Sequence, residues 1–108
     1  MGRVVIACYR PKAQQQQALR GLLRDPVPTL RSIGLVTDRV PITMEAKDGT
    51  VVEIFEWVSP DAIQVAHTHP IVAAMWEEFA TVCDFVPVGQ VPEASELFAD
   101  FTPVDVAR

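Results

Sequence analysis

Cysteine, histidine and long apolar runs are scarce in this sequence of 108 residues, and each scarcity excludes a class of protein. The two cysteines, Cys8 and Cys83, stand in apolar contexts without a CxxC spacing, which excludes a disulfide scaffold and favours two buried, reduced thiols. The two histidines, His67 and His69, diverge around a helix and lack a third ligand nearby, so we expect no metal. The longest charge-free stretch, residues 62–76, is shorter than the ~20 apolar residues of a membrane-spanning helix, and we expect no membrane partner.

Basic residues are outnumbered, and the formal net charge is −5. Residues 1–47 carry eight basic and three acidic residues, whereas residues 48–108 carry one basic and eleven acidic residues. We expect the basic first half to pack beside the acidic second half. We expect no nucleic-acid partner, because a basic stripe with interleaved aromatic residues is missing. The first apolar run, residues 4–9, is too short for the apolar segment of a signal peptide, which predicts a cytoplasmic protein.

Apolar residues make up 49% of the chain, enough for one core in a single domain of residues 1–108. Residues 3–9 are predicted to form a central strand, because both of their faces are apolar. A helix follows, is interrupted by Pro26 and Pro28, and stops at Gly34. The predicted elements of the second half are strands at 35–46, 51–58 and 85–88, a helix from Ser59 that Pro70 breaks, and a closing helix at 92–101. This order predicts an α+β, ferredoxin-like βαββαβ fold with an extra C-terminal helix.

The hairpin between the second and third strands predicts which side chains share a face. With Asp48-Gly49 as a two-residue loop, Met44 lies opposite Glu53 on the face beneath the helices. The other face then carries three apolar side chains of the third strand, which are Val52, Ile54 and Val58. That face is too apolar to stay in contact with water, and packing against a second copy would cover it. We therefore predict a homodimer.

The stretch VEIFEWVSPDAIQVAHTHP, residues 52–70, ends a strand in Trp57, continues into a Ser-Pro helix cap and brings His67 about ten residues later. Together with the element order over about residues 3–90, it resembles the dimeric α/β-barrel superfamily, which includes antibiotic-biosynthesis-monooxygenase-like and haem-degrading domains. The resemblance implies a homodimer that packs sheet to sheet and a pocket between sheet and helices. The haem-degrading branch pairs counterparts of Trp57 and His67 with an asparagine on the first strand, and this chain has no asparagine. Haem is therefore not implied, and we expect no cofactor.

Two polar side chains are predicted to face the space between the sheet and the helix after the third strand. Glu53 shares its strand face with apolar neighbours and needs a partner there, which His67 or an arginine could supply. His67 lies on the helix stripe that Ala62, Ile63 and Ala66 mark, and points inward as a ligand or a general base near neutral pH. Both residues also have a structural interpretation, as a histidine bonded to a backbone carbonyl and as half of a buried pair. We predict a cavity with Glu53 and His67 as catalytic candidates, and with Tyr9, Asp38 and Trp57 as ligand-binding candidates.

Two classes of function remain open from the sequence. The first is a cofactor-independent homodimer that binds a small apolar or aromatic molecule in this pocket. For an enzyme of this kind, the resemblance implies oxygenation (as in a monooxygenase) or isomerisation of an aromatic or polyketide-like substrate. The second is a non-catalytic dimerisation domain without a ligand, which side chains filling the predicted pocket would favour.

Overall fold

In the computed structural model, which describes residues 1–106, the β-branched residues near the start of the chain form strand β1 (Arg3–Pro11). Two helices follow, α1 (Gln16–Leu22) and α2 (Pro26–Ser32). Strands β2 (Ile42–Glu45) and β3 (Val51–Trp57) form a hairpin, and helices α3 (Pro60–Thr68) and α4 (Pro70–Ala80) come after it. The chain continues through strand β4 (Cys83–Val86), two 3-10 turns (Val88–Gln90 and Pro92–Ser95) and the two-residue strand β5 (Thr102–Pro103).

The five strands form one antiparallel sheet in the order β4-β1-β3-β2-β5, with the main core between the sheet and the helices. The order of the first four strands is that of a ferredoxin-like α+β fold, which confirms the predicted fold class. The predicted closing helix at 92–101 is wrong. Leu97 and Phe98 there are 89% and 86% exposed, so no apolar face docks and stabilises a helix. No helix among residues 1–106 is long and apolar enough to cross a membrane.

The hairpin register differs from the predicted one by one residue. The loop spans residues 46–50, whose two ends are joined by a backbone hydrogen bond of 2.8 Å. Met44 therefore lies opposite Val52 and not opposite Glu53. Because side chains alternate along a strand, this shift moves Ile42 and Met44 from the helix-facing side to the opposite face of the sheet. The predicted pairing is wrong, and the face without helices is more apolar than the sequence had suggested.

That face is covered at one end only. Its less covered part, called the outer face below, is defined by the exposed Val4, Ile6 and Ile42 and the half-buried Ile54, and Glu56 lies on the same face opposite Val4. At the other end, Val91 and Phe101 of the C-terminal segment pack in one apolar cluster with Cys8 and Val52. The buried carboxylate of Glu93 accepts a hydrogen bond of 2.7 Å from the backbone of the hairpin loop and holds the segment there.

Both cysteines are buried and free, as predicted. Burial raises the pKa of Cys8, and burial together with the nearby charge of Asp84 raises the pKa of Cys83 to about 11. Since the thiolate is the reactive form, we expect both thiols of the native protein to react with a disulfide reagent at pH 8 at least about 100-fold more slowly than those of the urea-unfolded protein. Rapid modification of one thiol per native chain would contradict this, and stopped-flow absorbance measures it.

Candidate functional site

A tyrosine and a glutamate meet in the interior beneath the helices. Tyr9 on β1 and Glu53 on β3 both point to the helix-facing side, and they are 1% and 0% exposed. The hydroxyl of Tyr9 donates a hydrogen bond of 2.9 Å to Oε1 of Glu53. Burial, and then the carboxylate of Glu53, raise the pKa of Tyr9 well above its ordinary value. The sequence predicted that Glu53 needs a partner, and the structure provides Tyr9, which was not among the expected partners.

His67 does not face the interior, and the prediction that it points inward is wrong. On α3 the buried residues are Ala62 and Ala66, whereas His67 is exposed. The stripe that contacts the core is therefore centred on these two alanines, which let the helix approach the sheet closely. Ile63 lies at its margin, and the residue one turn further along is turned to solvent.

The cavity that the sequence predicted between Glu53, Trp57 and His67 is also contradicted. Glu53 is fully buried against its neighbours, and Trp57 packs against Phe55 with a ring-centroid distance of 5.4 Å. Asp38 lies exposed in the connection between α2 and β2. Of the predicted site residues, Tyr9 lines a cleft at the edge of the sheet, whereas Glu53, Trp57 and His67 do not line it.

Aromatic rings gather at the edge of the sheet where β1, β4 and α4 meet. The ring of Tyr9 lies 6.1 Å from that of Trp76 and 6.0 Å from that of Phe85, and the last two are 5.7 Å apart. Phe79 closes the group from the core side and is fully buried. Phe85 is 49% exposed, because β4 is an edge strand. The group therefore offers aromatic surface to a molecule arriving from solvent.

A cleft of about 400 Å³ opens beside these rings and is called the edge cleft below. It is lined by Ile6, Ala7, Cys8, Tyr9, Trp76, Phe85 and Val86. It exists because β4 pairs only with residues 8–11 of β1, so the sheet is one strand narrower beside the first half of β1. The walls are almost wholly apolar, and this is a surface that suits an apolar or aromatic ligand.

Trp76 and Phe85 were not among the predicted site residues. The apolar stripe of the last long helix assigned Trp76 to the core, and it is in fact half-buried at the margin of that stripe. A signal in the sequence was available. The last strand is short, carries Phe85 beside the charged Asp84, and is stopped by Pro87, as expected of an edge strand that leaves aromatic surface uncovered.

Among residues 1–106, no group of three or more histidine, cysteine or acidic side chains is arranged to hold a metal ion. A second cavity of about 360 Å³ lies between α1, β2 and the C-terminal segment, and it is lined mainly by polar side chains such as Gln16 and Asp105. Arg20 and Glu45, which form an ion pair of 2.6 Å, also line it. The edge cleft is therefore the apolar one of these two cavities.

No protein-family model and no curated protein matches the chain. A solved structure, described as the structure of Rv0793 from Mycobacterium tuberculosis, is similar with a TM-score of 0.61 and 21% sequence identity. The match covers 88% of this chain and all of that one. At this identity the likeness extends to the fold, and the chain shares an α+β fold with that protein.

Proposed function

We propose that the protein is a homodimer that binds a small apolar or aromatic molecule in the edge cleft. The observation that carries the proposal is the cleft itself, in which the rings of Tyr9, Trp76 and Phe85 stand within about 6 Å of one another beside an apolar volume of about 400 Å³. This volume lies within the ~300–1,000 Å³ range of small-molecule sites.

The outer face supports the dimer. Val4, Ile6 and Ile42 on this face are 59%, 47% and 55% exposed, and helices cover only the opposite face. A contiguous apolar patch on a sheet is typical of an interface, and a two-fold axis lets one patch cover its own copy. The resemblance to antibiotic-biosynthesis-monooxygenase-like domains of the dimeric α/β-barrel superfamily points to the same sheet-to-sheet assembly.

The polar groups favour binding over catalysis. The raised pKa of Tyr9 keeps its hydroxyl protonated at neutral pH, and that hydroxyl is engaged by Glu53. Glu53 is shielded from solvent, and His67 is exposed on α3, outside the lining of the cleft. The acid–base pair that the sequence suggested therefore does not line the edge cleft. The proposal is limited to binding.

The two tryptophans make the binding site testable, since Trp76 lines the cleft and Trp57 packs in the core. In a Trp57→Phe protein, which retains Trp76, we expect the neutral nitroaromatic 4-nitroanisole to quench the fluorescence with a dissociation constant of about 1 mM or tighter. In a Trp76→Phe protein, which retains Trp57, we expect no saturable quenching. The Trp76→Phe protein also controls for absorption of light by the ligand, and circular dichroism checks that both variants are folded.

Absence of saturable quenching in both variants would overturn the binding proposal. The second candidate, a dimerisation domain without a ligand, is favoured by the size of the outer face and by the packed interior around Glu53. A dimerisation domain without a ligand would show no saturable quenching in either variant and would form a stable dimer. Equal quenching of both tryptophans would place the ligand elsewhere and would also contradict the proposal.

A further inference from the structure

The first half of β1 has a neighbouring strand on one side only. β3 pairs with residues 3–9 of β1, whereas β4 pairs with residues 8–11. The chain leaves β1 after Val86 and passes through Pro87 into the 3-10 turn Val88–Gln90. Residues 3–7 therefore present an open strand edge on the side where β4 has ended.

One backbone hydrogen bond shows which residues point toward that edge. The N–H of Lys12 donates to the carbonyl oxygen of Val82 at 2.9 Å, on the β4 side of β1. In an antiparallel ladder, successive residues direct their backbone groups alternately to the two neighbouring strands. Val4 and Ile6 lie an even number of residues from Lys12 and direct their N–H and C=O groups to the same side. Within residues 1–106, no strand pairs with them there.

Ile6 also lines the edge cleft, so the open backbone groups and the aromatic walls belong to one site. A purely apolar ligand would remove water from the N–H and C=O groups of Ile6 without replacing its hydrogen bonds, which is unfavourable. A ligand that carries its own donor and acceptor would avoid this loss. The N–H and C=O groups of Ile6 are spaced so that they can pair with the C=O and N–H groups of one residue of an antiparallel strand.

We propose that the ligand of the edge cleft is an N-acylated dipeptide-like molecule that binds in extended form, antiparallel to β1. Its first residue pairs with the backbone of Ile6, and its second residue places an aromatic side chain beside Trp76. This inference rests on the proposed binding function and names the ligand class for the same cleft. The cleft volume of about 400 Å³ suits a molecule of this size.

The strand geometry determines where each part of the ligand lies. Residues directly opposite each other share a face, so the first ligand residue lies beside Ile6 on the outer-face side. The second ligand residue is opposite Val5, and its side chain turns to the helix-facing side, where Trp76 stands. The acyl group points toward Ala7, where the chain leaves β4 at Pro87, so only a small group fits there. The ligand therefore spans the edge of the sheet.

We would test this with N-acetyl-valyl-phenylalaninamide and two methylated forms of it, using fluorescence of the Trp57→Phe protein. Methylation of the valine nitrogen removes the donor to the carbonyl of Ile6, and we expect binding at least about tenfold weaker. Methylation of the phenylalanine nitrogen removes an N–H that points away from β1, and we expect a change of less than about twofold. Equal binding of all three compounds would overturn the proposal.

The outcomes separate this inference from the proposed function. If 4-nitroanisole binds but the dipeptide does not, the ligand class is wrong and the edge cleft remains an aromatic site. If neither binds, the binding function itself fails. If the dipeptide binds but dissociates the dimer in sedimentation velocity, the edge of β1 belongs to the second copy and the proposal is overturned.

Discussion

Replacing Tyr9 with phenylalanine is expected to lower the free energy of unfolding by about 2 kcal/mol, although the change removes a single oxygen atom. The hydroxyl of Tyr9 is buried and donates a hydrogen bond of 2.9 Å to Glu53. Its loss leaves the carboxylate of Glu53 without this donor at a place that water does not reach. Urea unfolding followed by circular dichroism measures the change. Loss of less than about 0.5 kcal/mol would show that the hydrogen bond contributes little.

A double-mutant cycle separates this contact from the other interactions of Glu53. Glu53→Gln keeps an acceptor oxygen in place, and we expect its effect and that of Tyr9→Phe to be non-additive. The pH dependence gives a second control. Because the pKa of Tyr9 is raised in the folded state, its contribution is present below about pH 10 and is lost as the pH rises further. The stability of the wild type should therefore fall more steeply above pH 10 than that of Tyr9→Phe.

Replacing Ile54 with lysine is expected to weaken the proposed dimer at least about 100-fold. Ile54 lies on the outer face between β1 and β2, so a lysine there would bury a charge at the centre of the interface. Sedimentation velocity at micromolar concentrations should show a dimer for the wild type and a monomer for the variant.

Val65 supplies a matched control, since it is 47% exposed on α3, on the helix side of the sheet. The same change there, Val65→Lys, should leave the dimer intact. A wild-type protein that sediments as a monomer would rule out the dimer. If both variants dissociated equally, the outer face would not be the dimer interface.

Local signals in the sequence were sufficient for most of the elements. Ser59 caps α3 by accepting a hydrogen bond of 3.2 Å, Pro26 separates α1 from α2, and Pro70 separates α3 from α4. These residues act on the backbone next to them, so no knowledge of distant neighbours is required. The order of these elements along the chain then indicated the ferredoxin-like plan.

The hairpin register could not be obtained in this way. Asp48-Gly49 is typical of a two-residue loop, but the side chain of Asp48 accepts a hydrogen bond of 2.9 Å from the backbone of Thr50. This bond stabilises a longer turn, and the register shifts by one residue. The prediction for His67 was wrong for a related reason. The 3.6-residue period of a helix leaves the centre of its buried stripe uncertain by about one residue, and packing against the sheet determines that centre.

The edge cleft lies where β1 has no neighbouring strand on one side, and no local sequence pattern indicates where a neighbouring strand ends. Its position follows from the length of β4 relative to β1, and that comparison requires the pairing of residues more than seventy positions apart. The aromatic residues that line it were visible in the sequence, but their shared location was not.

The hydrogen bond between Tyr9 and Glu53 also selects one alignment of the two central strands. A slip of β1 by two residues along β3 would keep every side chain on its present face, so the pattern of apolar residues opposes it only weakly. The same slip would carry Tyr9 about 7 Å along the strand and away from Glu53. The polar pair therefore penalises an alignment that hydrophobic burial tolerates, and it makes the native pairing of the central strands specific.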